Sequence, residues 1–351
     1  MKKERLLEFD VLRAIAFIFV VLQHSIGGFS FRNDISVQDF LVSKFLYVMA
    51  EIAVPLFVFL TGVALLYTYY DKFDIKSFYI KKLKFLVFPF FIWSLFIMFY
   101  NNEPIDKHVF ENIFTGNAQY HLWYMAMILR IYLYFPIILN IARLIKKSNK
   151  YIRIGCFIFL TLGYWSLLNH YEILGILSKL IFKNPTDLQN KFINITPLFY
   201  YLYFVIGAYI ITNYKTFKKL IFRYKYIVVF AYILAFLYYY YIEISDRIEN
   251  PFPYIKSYTL TSIFYRSISI LFFYILSYYI VIKLKKIFYL LKIISKYSFP
   301  AYLIHVFIMN NLTSYISSNK YIISPIKFFI STIVISIFVC LDKLQYQAKT
   351  N

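Results

Sequence analysis

Ten apolar runs divide this chain, at 10–29, 43–70, 83–101, 119–142, 151–170, 195–213, 225–244, 258–282, 297–316 and 321–341. Each approaches or exceeds the roughly 20 residues that a helix needs to cross about 30 Å of hydrocarbon. A water-soluble core could not hide this much apolar surface. Of the 351 residues 61% are hydrophobic and 16% charged, whereas an ordinary soluble domain carries roughly a quarter charged residues. Only 8 Gly and 10 Pro are present, which excludes collagen-like, linker-like and disordered chains. The expected fold is therefore an all-α integral membrane protein, a bundle of about ten transmembrane helices.

A net charge of +21 would suggest nucleic acid as the partner of a soluble protein. The positions of the cations argue otherwise. Of the 38 Lys and Arg, 25 fall in the even-numbered connections, at the span edges beside them and in the two ends, as in Lys81, Lys82 and Lys84 or Lys215, Lys218 and Lys219. The positive-inside rule puts this set, and with it both termini, in the cytoplasm. Acidic residues such as Asp34, Glu103, Glu111 and Asp187 gather on the other side. The expected partner of the basic surface is the lipid bilayer, with no role for nucleic acid. Lys2, Lys3 and Arg5 precede the first run like the start of a signal peptide, but no A-x-A-like site follows and Arg13 and His24 interrupt the run. It is expected to be a retained helix. Cys156 and Cys340 both lie in spans, so neither a disulfide framework nor a cysteine metal site is implied. A single transmembrane domain is expected over 1–345, with a short polar tail over 346–351. The stretch 171–194 is amphiphilic and suited to the outer surface.

Ionisable side chains are costly in hydrocarbon, so each one within a span asks for a reason. The first span holds Asp10, Arg13 and His24. Steps of 3 and 11 residues at 100° per residue return all three to one helical face, and a rise of 1.5 Å puts His24 about 16 Å beyond Arg13. One reading makes Asp10 and Arg13 an interfacial i,i+3 pair and His24 a packing residue. The sharper reading is a reaction track: Arg13 holds an anionic group near the cytoplasm, and His24 handles a proton deeper in. Gly27 and Gly28 follow His24 and leave the backbone open to close approach or a turn.

Arg13 and His24 form an R-x10-H pattern in "FDVLRAIAFIFVVLQH", and this resembles the signature of the membrane acyltransferase-3 family. Further phrases resemble that family in order along the chain: "VPLFVFLTGVALLY" (54–67, with Thr61-Gly62 where Ser-Gly is usual), "YIKKLKFLVFPFFIW" (79–93), "HLWYMAMIL" (121–129), "YFVIGAYI" (203–210) and "SKYSFPAYLIHVFI" (295–308). The resemblance implies a membrane-bound O-acyltransferase. An acyl group, acetyl in the simplest case, would pass from cytoplasmic acyl-CoA to a hydroxyl of a cell-envelope glycan or polysaccharide. The similar proteins include O-antigen and enterobacterial-common-antigen acetylases and the intercellular-adhesin-associated proteins.

On that implication His24 and Arg13 are the catalytic pair, with His24 as general base or as an acyl-carrying nucleophile. Arg13, with the lysines of 81–84, holds CoA phosphates. No cofactor is expected to be bound; acyl-CoA is a cosubstrate, and no span carries metal ligands at suitable spacing. Glu51 has two readings, as orienting partner of His24 or as an outer-interface carboxylate. Arg130 and Arg266 either bind donor or acceptor or pair with carboxylates. Asp10 is a further candidate for donor or acceptor binding, and His121, which opens the fourth span, either does the same or anchors the interface; its neighbour Trp123 reads as an aromatic-belt anchor. Tyr302 and His305 either contact substrate or bond between helices. The competing function is an exporter or carrier of a glycan or small solute without acyl transfer. The richness in Lys, Ile, Tyr, Phe and Asn hints at an AT-rich bacterial genome, and a multi-pass protein of the bacterial cytoplasmic membrane is expected.

Overall fold

Backbone that crosses hydrocarbon must satisfy its own N–H and C=O groups, and a helix does so within one segment. In a computed structural model that describes residues 4–30, 36–103, 109–170, 172–249, 260–318, 332–335 and 337, the regular structure of those residues is helical throughout, with no strand. In chain order the helices are α1 (Leu7–Ser30), α2 (Val37–Ala50), α3 (Ala53–Tyr69), α4 (Ile75–Lys82), α5 (Phe88–Tyr100), α6 (Val109–Phe114), α7 (Trp123–Lys147) and α8 (Lys150–Asn169). They continue with α9 (Ile173–Phe182), α10 (Asp187–Asn194), α11 (Tyr201–Thr212), α12 (Tyr214–Arg223), α13 (Lys225–Glu249), α14 (Leu260–Lys283) and α15 (Lys285–Ser318).

Eight helical stretches among the described residues are long and apolar enough to span a bilayer. The sixth expected span, 195–213, is a helix of only 12 residues, α11, preceded by a short 3₁₀ turn at Pro197–Phe199. The tenth, 321–341, lies outside the described residues apart from helical 332–335 and 337. The expected tail 346–351 and Cys340 also lie outside them.

Two departures from the expected spans have prolines behind them. The second, 43–70, begins earlier, at Val37, where Ser36 accepts a bond from the Asp39 amide at 3.1 Å, and it breaks at Glu51–Ile52. Pro55 has no N–H to give the Glu51 carbonyl and its ring would collide with it, so α2 cannot run smoothly into α3. The third, 83–101, begins at Ile75 and passes through a π-helical turn, Leu83–Val87, just before Pro89. A wider turn there absorbs the same proline clash.

Packing divides the chain into two compact units, Met1–Leu60 with Asn213–Asn351, and Thr61–Thr212. In the first, α1 is the enclosed helix, packed on α2, α14 and α15. Val11, Leu12, Ala14, Ala16, Phe17 and Val21 on it are fully buried. In the second, α7, α8 and α11 pack with the 3₁₀ turn at Pro197–Phe199, and α9 lies on α10. The amphiphilic stretch 171–194 is thus two short helices. Thr186 caps the second of these in a reciprocal capping box with Gln189.

Candidate active site

The helix that carries Asp10, Arg13 and His24 is continuous from Leu7 to Ser30, so the 100° geometry holds along its length and the three share a face. At one end a carboxylate is flanked by two guanidinium groups. Arg5 Nε donates to Asp10 Oδ2 at 2.6 Å, whereas Arg13 Nη1 stands 3.9 Å from Asp10 Oδ1. Asp10 is buried, and the Arg13 side chain is 39% exposed. The bond to Asp10 raises the Arg5 pKa above its ordinary value. Asp10 is thus chiefly neutralised by Arg5, and the Arg13 charge stays open to an incoming anion.

One turn away, the buried Glu8 accepts a bond from the Tyr214 hydroxyl, and Tyr214 lies 3.0 Å from the Tyr274 hydroxyl. This ties α12 and α14 to the start of α1. Glu8 and Tyr214 were not among the expected site residues. Glu8 reads in sequence as an ordinary first-turn charge, and no pattern separates Tyr214 from the other 36 tyrosines.

Further along α1 the His24 ring sits against the His305 ring of α15, with centroids 5.4 Å apart. His305 is fully buried. Its Nδ1 lies 2.6 Å from the Tyr302 carbonyl oxygen. A carbonyl only accepts, so Nδ1 carries the hydrogen, and a neutral His305 keeps its lone pair on Nε2. Phe17, between Arg13 and His24 on the same face of α1, meets the His305 ring edge-on at 6.5 Å. The Tyr302 ring also lies tilted against it at 5.6 Å. His24, His305 and Tyr302 are therefore brought together.

Glu51 faces other partners. Its carboxylate forms an ion pair with Arg266 and accepts from the Tyr239 hydroxyl at 3.1 Å. The contact matches the pairing with a carboxylate that is one reading of Arg266, and the Glu51 charge is taken up there. A second pair that sequence did not suggest, Lys44 with Glu243 at 2.8 Å, links α2 to α13.

In the other unit Arg130 binds the carbonyls of Phe192 and Ile195 at 2.7 and 2.5 Å and lies over the Phe192 ring at 4.2 Å. His121 is buried in the turn before α7. Gly116, at φ +61°, shapes the approach to that turn, since a Cβ there would lie 2.5 Å from the Leu122 carbonyl. Trp123 packs on Tyr200 with centroids 6.0 Å apart. Among the described residues no group of three or more His, Cys, Asp or Glu lies together as a metal site.

Gly62 connects two of the sequence phrases. A methyl on it would overlap the Phe204 carbonyl oxygen and come 3.2 Å from the Ala208 amide. The "LTGVALL" and "YFVIGAYI" segments thus touch backbone to backbone. A family model described as an acyltransferase domain matches residues 6–342. The chain belongs to the acyltransferase-3 family. No curated protein and no solved structure matches it. This acyltransferase-3 protein is accordingly a multi-pass membrane enzyme that transfers acyl groups other than aminoacyl groups, and a lipid bilayer is its setting.

Proposed function

We propose that this acyltransferase moves an acyl group, acetyl in the simplest case, from cytoplasmic acyl-CoA to a hydroxyl of a cell-envelope glycan, with His24 as the general base. The observation that carries the reading is the single unbroken helix α1, which holds Arg13 and His24 on one face while the His24 ring packs against His305.

The chemistry needs a base, a donor held in line, and a path between them. A neutral His24 imidazole takes the proton of the acceptor hydroxyl as that oxygen attacks the thioester carbonyl. When the C–S bond breaks, the leaving CoA thiolate takes a proton back from the imidazolium, so the ring returns to neutral. Arg13 binds a phosphate of CoA, its planar fork suiting bidentate contact. The separation of about 16 Å along α1 is one that an extended pantetheine arm can cover. His305, held in one orientation by the Tyr302 carbonyl, keeps the His24 ring in place.

The test separates enzyme from exporter. In cells carrying His24→Ala, with membrane abundance confirmed, glycan acylation and glycan surface export are measured independently. Loss of acylation with export intact is the expected result. Loss of export with acylation intact overturns the reading in favour of a carrier.

A further inference from the structure

The second unit contains a cavity of about 610 Å³ that the reaction described above does not use. Its walls come from α5, α6, α7, α9 and α10, with Phe90, Leu133, Leu177, Ile181 and Ile193 among the lining side chains. Leu133, on a helix long and apolar enough to span a bilayer, and Ile181 are largely exposed, so the cavity opens at the protein surface. A volume of this size is in the range of pockets that enclose a small ligand. Apolar walls open to lipid admit an alkyl chain.

One charged residue stands in this wall. Arg130 uses Nη1 for the carbonyls of Phe192 and Ile195 and lays its guanidinium over the Phe192 ring. Those contacts leave the Nε–Nη2 edge, the pair of parallel N–H groups that matches two oxygens of a phosphate. Nη2 is buried and has no hydrogen-bond partner among the described residues. No Asp or Glu lines the cavity, and among the described residues Arg130 forms no ion pair. Burial lowers the Arg130 side chain's exposure to water, where an anionic oxygen on that edge gains the most from the charge. Arg130 also lies toward the Trp123 end of α7. With the orientation expected from the basic connections, that is the extracytoplasmic end, where the positive-inside rule disfavours an idle cation.

We infer that this cavity is a binding site for a phosphate-headed lipid, with its aliphatic chain between α7 and α9 and its phosphate on the free edge of Arg130. Amphiphiles that reach the cavity from the bilayer and carry negative charge are mainly phosphate-headed, which favours phosphate over carboxylate. The site is independent of the assignment of His24, so either can fail without the other.

Dodecyl phosphate, dodecanol and inorganic phosphate added to the purified protein in neutral detergent provide the test, with thermal unfolding as readout. Dodecyl phosphate is expected to raise the unfolding temperature, saturably, with the other two at least ~10-fold weaker, since each supplies one half of the ligand. Arg130→Gln is expected to remove the preference for phosphate over alcohol. Arg130→Lys keeps charge without the fork and is expected to bind several-fold weaker. Leu177→Trp, which fills the cavity and leaves Arg130 in place, is expected to abolish the shift. Should Arg130→Gln fail to fold, the Lys variant, the Trp variant and the three-ligand comparison still decide. Equal stabilisation by dodecanol, or by inorganic phosphate alone, overturns the proposal, as does binding unchanged in Leu177→Trp. Mass spectrometry of lipid retained by the purified protein then tells a bilayer phospholipid from a phosphate lipid bearing sugar.

Discussion

At Arg13 the guanidinium stands 3.9 Å from Asp10, while Arg5 holds the same carboxylate at 2.6 Å. The closer partner takes most of the acid's charge, so the more distant one keeps its own for a ligand. Arg13→Ala is therefore expected to raise KM for acyl-CoA by ~10-fold or more with a smaller change in kcat, and Arg13→Lys to fall between. Titration of the donor at fixed acceptor checks this, and an unchanged KM would remove Arg13 from the donor site. Glu51 and Arg266 make a different point. The pair is mostly buried, so Glu51→Gln strands a buried guanidinium and is expected to destabilise the protein by about 3–5 kcal/mol, with Glu51→Gln/Arg266→Met recovering most of it. Thermal unfolding of the two variants measures this. A pH–rate profile left unshifted in the double variant separates that structural role from any influence on His24. Arg13 and His24 were legible in the sequence because an ionisable group inside an apolar run stands out. The true partners of Glu51 were not legible, because α14 meets α2 only in the folded chain, 215 residues away.

Helices were easier to find than their breaks. Pro55 and Pro89 are visible in the sequence, but a proline inside an apolar run is compatible with a kinked helix, a break or a π turn. The side chains packed around it choose among these. The closeness of α3 to α11 is likewise written as one glycine, Gly62, whose purpose appears only beside Phe204 and Ala208. Gly62→Val is expected to force these helices apart and to lower the unfolding temperature by several degrees, with Gly62→Ala milder. Equal stability of both variants with the parent would show that the two helices do not depend on the approach. At the start of α1, burial above all, then the bond to Glu8, holds the Tyr214 pKa well above its ordinary value. The unfolded chain therefore loses this proton first, so stability present below about pH 10 declines as pH rises past it. Tyr214→Phe is expected to flatten that alkaline decline in unfolding temperature, and a profile identical to the parent's would mean that this phenol is not coupled to folding.

For the molecule as a whole, apolar run length and lysine asymmetry carried the fold class, since both follow from the thickness and charge of a bilayer rather than from tertiary detail. The sixth run holds a shorter helix than expected, because Pro197–Phe199 form a 3₁₀ turn instead of extending α11. The cavity beside Arg130 could not be read at all, because five separate helices contribute to it. The central claim concerns a base on α1 that serves a donor from the cytoplasm. Transfer of labelled acetyl from acetyl-CoA to envelope glycan in membranes tests it most directly, with parent and His24→Gln compared at equal protein abundance. A fall of about 100-fold or more is predicted for the variant; transfer within about 3-fold of the parent would contradict the account.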